Sequence, residues 1–421
     1  MKKIFVLLLS FALLFLTACN TNPPVDTTNT DLPNNEVTDL QNDWRELLKD
    51  QIIMRNGLKD FIELPSRIVF GTKTDGMVYY YSKADGNAYV YCFDPLCDHT
   101  DHTCLANPVR IGSGWSFSST FFVNNRFYAV TNDGLIYSFA FDGSDKKLEY
   151  DFEYELPDTV VTNLWSNTFV YGPYMYITWV SDEKGNPHNL RYNTETKEME
   201  DLTEKTGNYI SPHYIYNGVI YGMGNARVMG DVYLKADLDL NQIEVNENPA
   251  ASGYSVNHVI IGTEYEARES IFELPKLIGM RIYDIKTGES LLLTNEALGV
   301  SAVEIAGITE EYIYFYDGKD VTLGTTIVNV MGANKEITVR KSNNGKLYRM
   351  NHDGTNIICV YDNFEYELNS DMVIYDDKIV MQGQYVTFEN GEKKIWGGPI
   401  QVATINPDGT IGEFVEVEVL E

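Results

Sequence analysis

Hydrophobic and polar residues alternate with a period of two along most of the chain, in short runs that stop at turn residues. The clearest run is Leu135-Ile136-Tyr137-Ser138-Phe139-Ala140-Phe141, which ends at Asp142-Gly143. A second is Leu347-Tyr348-Arg349-Met350-Asn351-His352, ending at Asp353-Gly354. Alternation bounded by Asp-Gly or Asn-Gly predicts half-buried strands joined by tight turns, not amphipathic helices. Further hairpins are predicted to turn at Asn193-Thr194, Asp239-Leu240, Lys286-Thr287-Gly288 and Asp408-Gly409. The earliest, Tyr89-Val90-Tyr91-Cys92-Phe93, is expected to turn at Asp94-Pro95. That makes seven.

Between the hairpins lies a second recurring strand, in which a hydrophobic pair precedes Tyr. It appears as Met77-Val78-Tyr79, Phe127-Tyr128, Met175-Tyr176, Val219-Ile220-Tyr221 and Ile313-Tyr314, with weaker copies at Ile260-Ile261 and Ile379-Val380. Tyr79 to Tyr128 is 49 residues, Tyr128 to Tyr176 is 48 and Tyr176 to Tyr221 is 45. A period in the high forties built from several short strands predicts an all-β fold, a β-propeller of four-stranded blades. One small sheet cannot bury both faces, but a ring of sheets stacks face to face and leaves few edges. Residues 66–421 divide into about seven blades, with six or eight also compatible with that length. The longest interval holds an insertion at Gly318–Asn344, where Thr322–Val330 and Glu336–Ser342 are expected to form an extended hairpin.

The N-terminus departs from this pattern. Lys2 and Lys3 precede the apolar run from Ile4 to Leu16, which is short for a bilayer span and predicts a signal peptide over residues 1–18. Leu16-Thr17-Ala18-Cys19 resembles the lipobox of bacterial lipoproteins. The resemblance implies cleavage before Cys19, a diacylglycerol on its thiol, and anchoring at the extracellular face of the cytoplasmic membrane. Residues 19–43 are Asn, Thr, Asp and Pro with isolated aliphatics, a tether that cannot bury a core. Residues 44–65 carry Trp44, Leu47, Leu48, Ile52 and Met54 at partly helical spacing and are expected to form a short helical lead-in.

Charge narrows the partners. The 421 residues hold 32 Lys and Arg against 61 Asp and Glu, a net charge of −29. Such a chain is repelled by phosphate backbones, which excludes nucleic-acid binding. Twenty-nine Tyr and 19 Phe fit a sheet-rich domain.

The run Leu347-Tyr348-Arg349-Met350-Asn351-His352-Asp353-Gly354-Thr355-Asn356 resembles the blade signature of TolB-like propellers, which occur in many clostridial surface lipoproteins of unknown function. The resemblance implies the fold over about 350 residues and a binding platform for a protein, peptide or glycan ligand. It names no reaction. A monomer is expected.

One cluster breaks the repeat: Cys92-Phe93-Asp94-Pro95-Leu96-Cys97-Asp98-His99-Thr100-Asp101-His102-Thr103-Cys104. Cys92, Cys97, His99 and Cys104 can close on one structural Zn²⁺, with His102 in reserve, because zinc takes sulfur and nitrogen ligands tetrahedrally. Four protein ligands leave no open position for water, so a catalytic metal is disfavoured. The alternative is a disulfide among Cys92, Cys97 and Cys104, with Cys359 available to the third thiol. Similar Cys-rich clusters in the lipoproteins just named imply a structural role.

Other constellations are weaker. Asp237-x-Asp239-x-Asn241 starts like a calcium loop, but Gln242 stands where glycine is required. His188, His213, His258 and His352 are scattered over the repeats, and no G-x-S-x-G or Walker loop is present. Glu310-Glu311 and Asp376-Asp377 fit solvated turns. Trp115, Trp165, Trp179 and Trp396 fit strands, although tryptophan also stacks on sugars. The favoured reading is a non-catalytic binding propeller. Its rival is a glycan-active hydrolase or lyase, which would need two inward carboxylates with separated pKa values in a central pocket.

Overall fold

The computed structural model describes residues 44, 48–54, 61–64, 66–70, 77–92, 96–99, 120–123, 126–130, 134–140, 145–152, 159–161, 168–182, 184–224, 233–245, 253–266, 276–330, 333–362, 372–389 and 392–420. The expected signal peptide at 1–18 and tether at 19–43, with Cys19, lie outside them. The chain divides into two units, Met1–Leu47 and Leu48–Glu421, of which the second is the propeller.

The described strands form seven mostly antiparallel sheets, each built on a meander of consecutive strands, two of them extended by a strand from elsewhere in the chain. Blade 1 runs from Phe61–Glu63 to Ala88–Val90 and blade 2 from Thr120–Val123 to Lys147–Asp151. Blade 3 ends at Met199–Asp201; its first edge is shared by Thr159–Val161 and Thr168–Tyr171, both paired with Tyr174–Asp182. Blade 4 spans Ser211–Tyr216 to Ile243–Val245 and blade 5 spans Gly253–Val256 to Ser290–Thr294. Blade 6 spans Val303–Ile308 to Ile358–Tyr361, and blade 7 spans Met372–Tyr375 to Val415–Glu416. First strands lie innermost: Val303–Ile308 touches both Gly253–Val256 before it and Met372–Tyr375 after it.

Apolar faces stack between blades, and this is where the core sits. Tyr314, Tyr316 and Leu347 of blade 6 pack on Met372, Ile379 and Met381 of blade 7. Val373, Val380 and Ile400 of blade 7 pack in turn on Ile68, Phe70, Tyr79 and Tyr81 of blade 1. The C-terminal strand Val419–Leu420 then joins blade 1, pairing parallel with Ala88–Val90. Both ends of the ring are thereby held on one sheet.

The recurring basic residue of the third strands has a structural task. Arg191 of blade 3 lies over the Tyr174 ring, 4.9 Å from its centroid, and donates to Asp239 Oδ1 at 2.6 Å in the turn of blade 4. Arg349 lies 4.1 Å over Tyr312 and reaches blade 7 at Gly409. Gly409 is held to glycine by its backbone conformation, with φ +83°. A Cβ there would meet the Arg349 guanidinium at 2.3 Å, but that group is the end of a flexible side chain.

The insertion of blade 6 is an extended hairpin, as expected. Tyr312–Val330 and Ala333–Asn351 stay paired from Gly318 with Asn344 to Val330 with Ala333. At about 3.3 Å per residue this ribbon projects roughly 40 Å beyond the blade. Blade 7 carries a shorter extension that the sequence did not announce, pairing Gln384–Glu389 with Glu392–Gly397.

Three expectations are corrected. The lead-in 44–65 is helical at Trp44 but extended at Ile52–Met54, and the propeller begins at Phe61, not at 66. Ile52–Met54 pairs antiparallel with Ser211–Tyr216, on the innermost edge of blade 4. It also touches the first strands of blades 3 and 5. The chain thus lines its own axis. Ile52 is buried with Tyr214, Tyr216, Ile260 and Tyr283, so tertiary pairing overrides a weak helical spacing. The third correction concerns the first hairpin, which turns at Asp85-Gly86 and not at Asp94-Pro95. Tyr79–Ser82 is the third strand of blade 1, and the second is the fully buried Arg67–Phe70, which lacks the Tyr found in most of the other copies.

Candidate metal centre

Because blade 1 already owns an Asp-Gly turn, the Cys/His cluster replaces no hairpin turn. It begins where the fourth strand of blade 1, Ala88–Val90, ends and leads toward blade 2. Tyr91 N–H still donates to the Val78 carbonyl at 2.9 Å, and Cys92 N–H turns back to the Val90 carbonyl at 2.7 Å, which ends the ladder. Cys92 and Cys97 both pack against the apolar cluster shared by blades 1 and 7. His99 sits in the left-handed region, with φ +58°, unusual for a non-glycine residue. Its N–H donates to Cys97 Sγ at 3.4 Å, the kind of contact that steadies a metal-bound thiolate.

The ligand atoms of Cys92, Cys97 and His99 lie within 4.8 Å of one another, and all three residues are half-buried. Tetrahedral zinc, with bonds of about 2.3 Å to sulfur and 2.0–2.1 Å to nitrogen, sets donor–donor edges of roughly 3.5–3.8 Å. A contraction of about 1 Å or less brings three donors onto one ion. Two sulfurs and an imidazole suit a borderline-soft cation and do not suit Ca²⁺, Mg²⁺ or Mn²⁺, which prefer oxygen. The cluster can therefore hold a metal. Cys104 and His102, the remaining candidates, lie outside the described residues.

Cys359 is not brought to the cluster. It is exposed on the outer strand of blade 6, opposite Tyr348, with blade 7 between it and blade 1.

The remaining candidates stay apart. His188 meets Asp201 at 2.6 Å in blade 3, and His258 meets Asp284 at 3.4 Å in blade 5. His213 is buried at a bulge in the first strand of blade 4, and His352 bonds the Thr309 carbonyl in blade 6. Asp237 accepts the Asn241 N–H and Asp239 accepts Arg191, so that stretch is a blade turn. Glu310, Glu311, Asp376 and Asp377 are exposed. Trp179 and Trp396 lie on strands of blades 3 and 7; Trp115 and Trp165 are outside the described residues.

Among the described residues, every carboxyl whose pKa moves is lowered. The Arg191 guanidinium, donating to Glu200, holds that carboxyl below its usual range. Burial pushes Glu149 up, but hydrogen bonds from Ser138 and Lys197 outweigh it and leave the group lowered. These are carboxylates kept ionised by donors between or within blades, whereas a general acid needs its pKa raised.

No protein-family model and no curated protein matches the chain. Several solved structures resemble it. An oligogalacturonate lyase from Vibrio parahaemolyticus is 13% identical, with 86% of this chain and 94% of that chain covered at a TM-score of 0.43. TolB from Acinetobacter baumannii is 12% identical over 74% of this chain and 64% of that chain, with a TM-score of 0.35. BamB from Moraxella catarrhalis is 11% identical over 82% and 98%, with a TM-score of 0.37. No activity transfers from them to this chain.

The centre gives a direct expected result. Protein purified without chelator contains one zinc per chain, and Cys97→Ser lowers that content at least tenfold while leaving the propeller folded. Elemental analysis beside a thiol count in denaturant checks it. Zero metal together with two or fewer reactive thiols would mean a disulfide instead.

Proposed function

We propose that the chain is a surface lipoprotein, tethered through Cys19, whose propeller is a non-catalytic platform for a protein, peptide or glycan. The observation that carries this reading is the pair of ribbons on blades 6 and 7. Tyr312–Val330 with Ala333–Asn351, and Lys378–Glu389 with Glu392–Thr404, extend far past what a blade needs to pack. An isolated two-stranded ribbon is marginally stable in water, so surface of this kind gains from a partner. The pairing of Ile52–Met54 on the inner edge of blade 4 supports the same reading, because a catalytic pocket of the rival glycan-active type would need open space there.

In this reading Cys92, Cys97, His99 and Cys104 hold a structural zinc that clamps the blade 1 to blade 2 connection. Zinc supplies cross-linking there and no reaction. Cys92 and Cys97 anchor the site to the core, and the His99 N–H orients the Cys97 sulfur. Among the described residues no helix is long and apolar enough to cross a membrane.

The anchor is tested by Cys19→Ala. The variant is expected to leave the membrane fraction almost entirely and to fold as before. Membrane retention equal to that of the unaltered protein contradicts the proposal.

A further inference from the structure

The start of the folded unit is fixed to one side of the ring. In an antiparallel meander, the turns after the first and third strands share one face. The turns after the second strands and the connections between blades share the other. Leu48–Asp50 is a turn on the first of these faces. Asp50 N–H donates to Asn217 Oδ1 at 2.7 Å, and the Asp50 carboxylate accepts from the Tyr216 hydroxyl at 3.2 Å. Asn217 belongs to the first turn of blade 4. Ile52 N–H then donates at 3.2 Å to the carbonyl of Asn257, in the first turn of blade 5. From there the chain climbs the axis antiparallel to Ser211–Tyr216. The opposite face carries the two ribbons and the turn from Cys92 to His99.

We propose that the anchored propeller holds its first-turn face toward the membrane and presents the ribbon face outward as its interaction surface. This rests on the lipid-anchor reading and adds to it a direction. The tether expected from the sequence over residues 20–43 would have a root-mean-square reach of about 25–30 Å. A blade strand of five or six residues spans about 17–20 Å and the blade 6 ribbon adds roughly 40 Å. The ribbon tip therefore averages well beyond the tether's own reach from the point where the chain enters the ring. Charge indicates what it meets. Segment 318–344 holds Lys319, Lys335, Arg340 and Lys341 against Asp320 and Glu336, a net +2 in a chain of −29. An acidic macromolecule is repelled least at this end.

The test uses the lipidated full chain in phosphatidylcholine vesicles containing an acceptor-labelled lipid. A donor dye is placed through an encoded azide at Glu195, in the third-to-fourth-strand turn of blade 3, or at Asn334 near the ribbon tip. Energy transfer to the lipid is expected to be at least twofold greater from position 195. Equal transfer, or more from position 334, overturns the proposal. A version whose residues 1–19 are replaced by a histidine tag on chelating lipid is measured alongside, because exit from the ring depends on Ile52–Met54 and not on the anchor's chemistry. Native protein that fails to float with vesicles, while the tagged version keeps the twofold difference, defeats the lipid reading and leaves the orientation standing.

Discussion

Ending the chain after Met381 abolishes the single cooperative melting transition of the propeller. The cut removes Glu392–Thr404, Val415–Glu416 and the closing strand Val419–Leu420. With them go Ile400, which packs between blades 7 and 1, and Ala403 and Ile411, which pack between blades 6 and 7. Both faces of the opened ring then expose apolar side chains that each neighbouring blade had covered. In a quasi-one-dimensional stack, stability resides largely in those interfaces, so the loss spreads beyond the missing strands. Calorimetry should show a broad, low-temperature transition or none. A truncated chain that melts sharply at the original midpoint would mean that the blades fold as separate domains.

Ile52→Asp is the second large effect. Ile52 is 9% exposed and sits among Tyr214, Tyr216, Ile260 and Tyr283. A carboxylate placed among these side chains loses most of its hydration, and its burial is expected to cost roughly 3 kcal/mol or more at pH 7. The sign of the pH dependence follows from burial. The introduced carboxyl has a folded pKa raised above its unfolded value, so its penalty grows as pH rises through that window and shrinks toward pH 4. Denaturant melts of variant and unaltered protein at pH 4.5 and pH 7.5 check both magnitude and sign. A cost below about 1 kcal/mol at both values would show that the axial strand contributes little to the fold.

The repeat was legible wherever a strand carried both its alternation and its turn. Leu135–Ala140, Pro187–Asn193, Tyr233–Asp237 and Leu277–Asp284 all stand where the hairpin pattern put third strands. Blade 1 misled because Met77-Val78-Tyr79 follows Asp75-Gly76 and so imitates a second strand, while the true second strand, Arg67–Phe70, is buried on both faces and shows no alternation. The axial strand was not legible at all. Three residues cannot display a period, and what makes Ile52–Met54 extended is the ladder with Ser211–Tyr216, some 160 residues away. The metal centre was half-visible. Residue type marked Cys92, Cys97 and His99, whereas only the structure shows that they sit after the fourth strand of blade 1, apart from Cys359.

Tethering of the propeller at the cell surface is tested by the mass of its mature N-terminal peptide. Protein extracted from membranes and digested should yield a peptide beginning at Cys19 and carrying the mass of a diacylglycerol on its thiol. A mature chain that begins elsewhere, or begins at Cys19 with an unmodified thiol, would contradict it.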